Sequence, residues 1–183
     1  MNAIHPETDE RDLLAAFVNT RDILDDGDEL ATPEALAAWL VAHELAPAGI
    51  EPTTRELRDA TALREALREL MLANNGVEID RARAGATLER AARRARLSVQ
   101  CCVEGAKLEP QADGVAGALG WLCAAVERTS AAGTWPTLKA CRAGDCLWAF
   151  VDRAPNGRRT WCSMKSCGNR EKVRAYRERH AAH

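Results

Sequence analysis

Four cysteines in two equal pairs carry the clearest chemical signal in the sequence. Four residues separate Cys141 from Cys146 and Cys162 from Cys167, and fifteen residues lie between the pairs. Two short chelating loops of this kind bring four thiolates into the tetrahedron that Zn²⁺ prefers, about 2.3 Å from the metal. A catalytic zinc keeps a position for water, usually beside His or carboxylate ligands, and none stands at ligand spacing here. The pattern predicts one structural Zn²⁺; the alternative is a redox switch that releases the metal.

Basic residues cluster around the second cysteine pair. Residues 138–183 contain 11 Lys and Arg against 4 Asp and Glu, whereas the preceding 137 residues contain 14 against 23. A net charge of −2 therefore conceals an acidic body with a basic end, which indicates a negatively charged partner bound by that end. Arginine suits phosphates and guanine edges, although a run of charges is often only a solvated face. The candidate DNA contacts are Arg158, Arg159, Lys165, Arg170, Lys172, Arg174 and Arg177.

The elements around the cysteines predict a treble-clef-like finger. Asn156–Gly157 is a strong turn signal, so we expect a β-hairpin that pairs residues 147–152 with residues 158–161. A helix should follow the second cysteine pair, with Ser166 as its N-cap and Cys167 in its first turn. Its arginine stripe lies beside a less charged face, which we expect to pack on the hairpin. That face consists of Asn169, Val173, Tyr176 and His180.

The preceding residues predict an α+β body that is mainly helical. Residues 96–110 alternate around Glu104–Gly105 and indicate a β-hairpin. We therefore expect a helical N-terminal domain with one β-hairpin over residues 1–134, a linker near 131–138 and a small four-cysteine zinc finger over 138–183 that folds as a separate unit. Apolar spacing and capping residues predict helices over residues 10–23, 33–44, 54–73, 80–94 and 115–130.

Asn19 and Thr20 are polar residues directly after the apolar pair Phe17 and Val18. Either they end the first helix, or they line a pocket for a small-molecule effector with Trp39 or Trp121 as a wall. Formation of a homodimer is a third use for the body, because bacterial regulators commonly read two half-sites. The body shows no nucleophile elbow, phosphate loop or paired-carboxylate signature, so we predict no enzyme activity. No apolar run approaches the roughly 20 residues of a membrane span, and no secretory signal is visible, so we expect a cytoplasmic protein without a membrane partner.

The motif WCSMKSCGNREKVRAYRER at residues 161–179 resembles the CGNR zinc finger, which is named for the run at residues 167–170. The family commonly has Ser-Arg where this chain has Ala-Pro at residues 154–155, a difference in the turn that affects no ligand. The body resembles the ABATE domain of stress-induced transcription regulators through FVNT at residues 17–20, the TPEALAAWL helix and RELRDATALREALREL. The resemblance implies that all four cysteines bind zinc and that the finger is the DNA-binding module of a bacterial regulator associated with the nucleoid. The alternative is an adaptor whose finger binds another protein.

Overall fold

Six α-helices and three antiparallel strand pairs make up the described part of the chain, residues 9–103 and 105–181 of the computed structural model. This confirms the α+β prediction. The helices are α1 (Glu10–Asn19), α2 (Pro33–Ala42), α3 (Thr54–Asn74), α4 (Arg81–Arg94), α5 (Gly114–Ala131) and α6 (Asn169–Ala181). The strands are β1 (Arg21–Asp22), β2 (Gly27–Asp28), β3 (Ser98–Cys102), β4 (Gly105–Glu109), β5 (Leu138–Ala140) and β6 (Ala149–Val151), paired β1–β2, β3–β4 and β5–β6.

The helix boundaries follow from capping chemistry. Thr53 and Glu56 form a reciprocal capping box at the start of α3, and Thr32 accepts a hydrogen bond from the backbone N–H of Ala35 at the start of α2. Each such cap contributes about 1 kcal/mol to helix stability. After α3, the chain turns at Gly76 with a φ of 80°, a backbone conformation that glycine adopts without strain. The predicted helices and the 96–110 hairpin all form within a few residues of their expected limits. The small β1–β2 pair was not predicted from the sequence.

One apolar core joins the helices of the body to the strand pair that carries the cysteines. Leu138, Ala140, Ala149 and Val151 of β5 and β6 belong to the same buried cluster as the helical residues. The largest fully buried apolar side chains of the body are Leu14, Phe17, Val18, Leu30, Leu36, Leu40, Leu63, Leu67, Met71 and Leu122. The β5–β6 pair is consequently part of the body's core.

The segment predicted to be a linker is held against α1 and α3. The side-chain amide of Asn74 donates hydrogen bonds to the carbonyls of Trp135 and Leu138, both at 2.9 Å. Arg11 donates to the hydroxyl of Thr137 at 3.2 Å. Residues 131–138 are thus an ordered connection, because α3 supplies partners for their carbonyl groups.

The strand pairing within the finger differs from the prediction. β6 pairs with β5, Lys139 opposite Phe150, and residues 158–161 form no strand. Lys139 and Asp152 form a buried ion pair at 2.7 Å, and Asp152 also accepts the backbone N–H groups of Ala154 and Arg159. The predicted turn at Asn156–Gly157 does form, but it closes a loop folded over this carboxylate, so residues 158–161 cannot run beside β6.

The β3–β4 hairpin projects from the body, and Cys101 and Val99 are exposed on it.

Across the described ranges, no helix has the length and apolar character that would let it cross a lipid bilayer.

Candidate metal centre and basic helix

The four sulfur atoms of Cys141, Cys146, Cys162 and Cys167 lie within 4.8 Å of one another. The Sγ of Cys162 is 3.6 Å from that of Cys146 and 3.6 Å from that of Cys167. A tetrahedron of thiolates about 2.3 Å from Zn²⁺ has sulfur–sulfur edges of about 3.8 Å. Three of the cysteines are buried and Cys162 is half-buried, so the cluster fits a closed structural Zn²⁺ site, as predicted.

The first cysteine pair lies on a tight knuckle between β5 and β6. The backbone N–H of Cys141 donates to the carbonyl of Trp148 at 2.9 Å, and that of Cys146 donates to the carbonyl of Ala143 at 2.9 Å. Leu147 has a φ of 54°, an uncommon conformation for a branched residue that must be held in place by its surroundings. The guanidinium of Arg68 on α3 donates to the Leu147 carbonyl at 2.9 Å, so the body holds the knuckle in shape.

The second pair is positioned by a wide turn over residues 164–168 that leads into α6. Ser163, not the predicted Ser166, caps this turn, because its hydroxyl accepts the backbone N–H of Ser166 at 3.3 Å. A Cβ added at Gly168 would stand 2.5 Å from the sulfur of Met164 and 3.1 Å from Trp161, so a larger residue there would have to displace the Met164 side chain. Cys167 therefore lies in this turn, two residues before α6, and not in the first turn of the helix as predicted.

The electrostatics of the cluster favour a bound divalent cation. Burial raises the pKa of the Cys146 thiol to about 11, and burial together with the neighbouring sulfurs also raises the pKa of Cys162. Four adjacent thiols cannot all ionise unless a cation offsets their repulsion, and a coordinating thiol is deprotonated by its metal. A Zn²⁺ held by four thiolates supplies a structural crosslink there and leaves a net negative charge. Arg170 is placed to offset this charge, since it donates to the Sγ of Cys167 at 3.4 Å and to Asp145 at 3.1 Å.

The seven candidate DNA contacts fall into two groups. The first group has partners within the protein. Arg159 donates to the carbonyl of Cys162 at 2.6 Å and lies over the Phe150 ring, and Arg170 donates to the Sγ of Cys167. Arg174 pairs with Glu171 and, at 3.9 Å, with Glu178. The remaining four are exposed and have no ion pair with any other described residue, and these are Arg158, Lys165, Lys172 and Arg177.

The helix α6 leaves the rest of the molecule after its first turn. Every residue from Lys172 to His180 is exposed, including Val173 at 48% and Tyr176 at 56%. The face predicted to pack on the hairpin therefore does not pack there, and Asn169 is exposed and donates to the carbonyl of Lys165. Trp161 and Met164 lie against Gly168, at the point where the chain enters α6. Tyr176 and His180 stack on each other instead, with ring centroids 4.0 Å apart.

The four residues predicted to line an effector pocket are not brought together. Asn19 exchanges hydrogen bonds with both backbone groups of Ala149, and Thr20 is buried and donates to the carbonyl of Phe17 at the end of α1. Trp39 is buried and stacks on His43. Trp121 lines a different cleft, between the end of α2 and the start of α5. Asn19 and Thr20 thus follow the other interpretation, in which they end the first helix.

Sequence reasoning missed the side chains on α3 and at its C-terminal end that attach the finger to the body. The amide of Asn75 donates to the carbonyls of Ala140 and Thr160, both at 2.8 Å, and Arg68 binds the knuckle. Arg64 and Arg68 recur at helical spacing among the apolar residues Leu63, Leu67 and Met71, so their place on the buried face could have been recognised. Asn75 gave no such signal, because Asn-Asn-Gly is typical of a helix end.

Two family profiles match the sequence. Residues 137–180 match the CGNR zinc finger, and residues 11–132 match ABATE, described as a "putative stress-induced transcription regulator". A comparison with curated proteins gave no match. Only residues 133–136, within the ordered connection, separate the two profiles, which together cover the body and the metal centre. The chain therefore belongs to the ABATE family and ends in a CGNR zinc finger.

Proposed function

We propose that the protein is a zinc-dependent transcriptional regulator that binds DNA through α6 and the basic loops beside the metal centre. The observation that carries this proposal is the exposure of α6 on all sides from Lys172 to His180. A helix with side chains is about 10–12 Å wide and enters the major groove of B-DNA, which is about 12 Å wide. A polar helix of 13 residues that packs on the molecule only through its first turn is marginally stable in water, so a binding partner is its natural complement.

The proposed DNA contacts are the cations that have no structural task. Lys172 and Arg177 on α6, Lys165 in the wide turn and Arg158 in the loop are free to meet phosphates or base edges. Arg174 joins them by exchanging Glu171 for a phosphate. Arg170 and Arg159 act through the metal centre and the loop instead, and we assign them a positioning role.

A single short helix contacts only a few base pairs, about three in the case of one classical zinc finger. Sequence-specific control therefore favours two copies on two half-sites, and we propose a homodimer on the operator. The body has no proposed catalytic role. A regulator of this kind acts in the cytoplasm at the nucleoid.

Salt dependence of DNA binding tests the proposal. Each phosphate contact contributes about 0.9 to the slope of log affinity against log salt concentration, because bound counterions are released. Arg174→Gln combined with Arg177→Gln should lower the slope for a mixed-sequence DNA duplex by about 1.8. The zinc content per chain should stay unchanged, since neither side chain touches a cysteine.

The matched control is Arg58→Gln combined with Arg93→Gln, which removes the same charge from exposed positions of the body. This control should keep the full slope. Equal slopes for the wild type and the α6 variant would overturn the assignment of α6. Failure of the wild type to bind any duplex at low salt would favour the protein-binding adaptor.

A further inference from the structure

A cleft of about 560 Å³ lies between the first half of α3, the second half of α4 and the first turns of α5. This volume is in the usual range for small-molecule sites, about 300–1,000 Å³. The cleft is remote in the chain from the metal ligands, and neither the proposed function nor metal chemistry uses it. Its apolar lining consists of Ala62, Ala91, Val115, Ala116 and Leu119.

Three arginines and two carboxylates also line the cleft, and the carboxylates are already occupied. Asp59 forms an ion pair with Arg94. Glu56 accepts hydrogen bonds from the backbone N–H of Thr53 at 2.8 Å and from its hydroxyl at 2.7 Å, within the capping box of α3. Neither carboxylate forms an ion pair with Arg55 or Arg90.

Two of the arginines are left without a carboxylate. Arg90 donates to the hydroxyl of Thr87 at 3.1 Å and has no ion pair among the described residues. Arg55 has neither a hydrogen bond nor an ion pair from its side chain in the described ranges. The α5 N-terminus, where Val115 and Ala116 line the cleft, lacks a side-chain cap and adds further positive potential.

We propose that this cleft binds a small organic acid, with an apolar body against the alanines, Val115 and Leu119 and a single anionic group held by Arg55 and Arg90. An apolar wall combined with unpaired guanidinium groups selects this chemistry, because each arginine can donate two parallel hydrogen bonds to a carboxylate or sulfonate. A neutral apolar molecule leaves both cations unpaired, and a small inorganic anion leaves the apolar wall in water. The proposal does not depend on DNA binding.

Fluorescence titration with two matched probes tests the proposal without DNA. 8-Anilinonaphthalene-1-sulfonate carries the anionic group, and N-phenyl-1-naphthylamine has the same apolar body without it. The sulfonate should bind at least about tenfold more tightly than the neutral probe, as expected for charge-assisted hydrogen bonds. Octanoate should displace it, and 1-octanol should do so at least about tenfold more weakly.

Arg55→Gln combined with Arg90→Gln should weaken sulfonate binding about tenfold and leave the neutral probe within about twofold. Both side chains are exposed and lack carboxylate partners, so the variant should keep the wild-type thermal transition. Arg58→Gln, on α3 outside the cleft, is the control and should bind both probes as the wild type does. Ala62→Trp should fill the cleft and weaken both probes. Unchanged sulfonate affinity in the double variant, or an equal loss in Arg58→Gln, would overturn the assignment.

Discussion

Two arginines on the core face of α3 bind the loops that surround this helix. Arg64 and Arg68 are only 4% and 3% exposed, yet each guanidinium is supplied with acceptors. Arg64 binds both carboxylate oxygens of Asp28, at 2.7 and 3.0 Å, and Arg68 donates to the carbonyls of Val18, Arg21 and Leu147. A buried charge is tolerated when paired and costly when its partner is removed.

Removing the partner of Arg64 should therefore destabilise the fold strongly. Asp28→Asn should lower the free energy of unfolding by about 2 kcal/mol, because the buried guanidinium loses its bidentate partner and keeps only Glu65, at 2.8 Å, as a countercharge. Asp26→Asn is the matched control, since its partner Arg21 forms an exposed pair in the same loop, and it should cost less than about 1 kcal/mol. Urea denaturation of zinc-loaded protein measures both. Equal costs would show that burial of Arg64 does not matter.

The difference between wild type and Asp28→Asn should also depend on pH. Burial alone would raise the pKa of Asp28, but hydrogen bonds from Arg64 and from the backbone N–H of Leu30 bring it below its ordinary value of 3.8. A carboxyl group with a lowered pKa stabilises the fold above its unfolded pKa and loses that contribution as the pH falls through its folded pKa. The stability gap should be constant from pH 7 to about pH 5 and should shrink below about pH 4. A gap that widens on acidification would contradict this account.

At the scale of elements, α6 depends on the metal centre. The cluster around the cysteines contains few other apolar residues, namely Ala143, Phe150 and Trp161. Within the described chain, α6 packs mainly on the wide turn at residues 164–168. Zinc coordination by the two cysteine pairs must therefore stabilise this region, in place of the hydrophobic core that stabilises the body.

Zinc removal should loosen the finger unevenly. Hydrogen exchange after chelation should accelerate by at least about tenfold in residues 141–148 and 160–181, because an isolated helix of this length is marginal. Residues 138–140 and 149–151 should stay protected, since they belong to the body's core. Cys146→Ser should reproduce the effect of the chelator, and Cys101→Ser, at an exposed cysteine outside the cluster, should not. Equal acceleration throughout residues 138–181 would contradict this division.

The elements show which part of the site was predictable from sequence. Cysteine spacing predicts the metal ligands, because chelation geometry is local. The pairing of β6 was mispredicted because the decisive contact, the buried pair of Lys139 with Asp152, joins residues whose types are normally exposed. The outward course of α6 was missed for a related reason. A helical wheel identifies Val173 and Tyr176 as one face but cannot tell whether anything lies opposite that face.

At the scale of the whole molecule, the body holds the finger through the β5–β6 pair, which lies in the body's core, and through one set of anchoring side chains. Asn19 at the end of α1 and Arg68, Asn74 and Asn75 on or just after α3 all bind backbone groups of residues 135–160. The sequence predicted a separable finger because charge and motif change near residue 138. A change of charge or of motif carries no information about packing. The two family profiles likewise divide the chain by sequence similarity and not by which residues share a hydrophobic core.

The position of a truncation should therefore decide whether the body folds. A chain of residues 1–134 lacks the β5–β6 pair, so it exposes part of the core and leaves the side chains of Asn19, Asn74 and Asn75 without their partners. Each buried group left unsatisfied costs about 1–3 kcal/mol, against a total stability of about 5–15 kcal/mol for an ordinary domain. A chain of residues 1–160 keeps the strand pair and both acceptors of Asn75 but lacks two of the four zinc ligands. Circular dichroism should show a cooperative thermal transition for residues 1–160 and a broad or absent one for residues 1–134. A transition in residues 1–134 as sharp as that of the full chain would show instead that the finger is an independent domain.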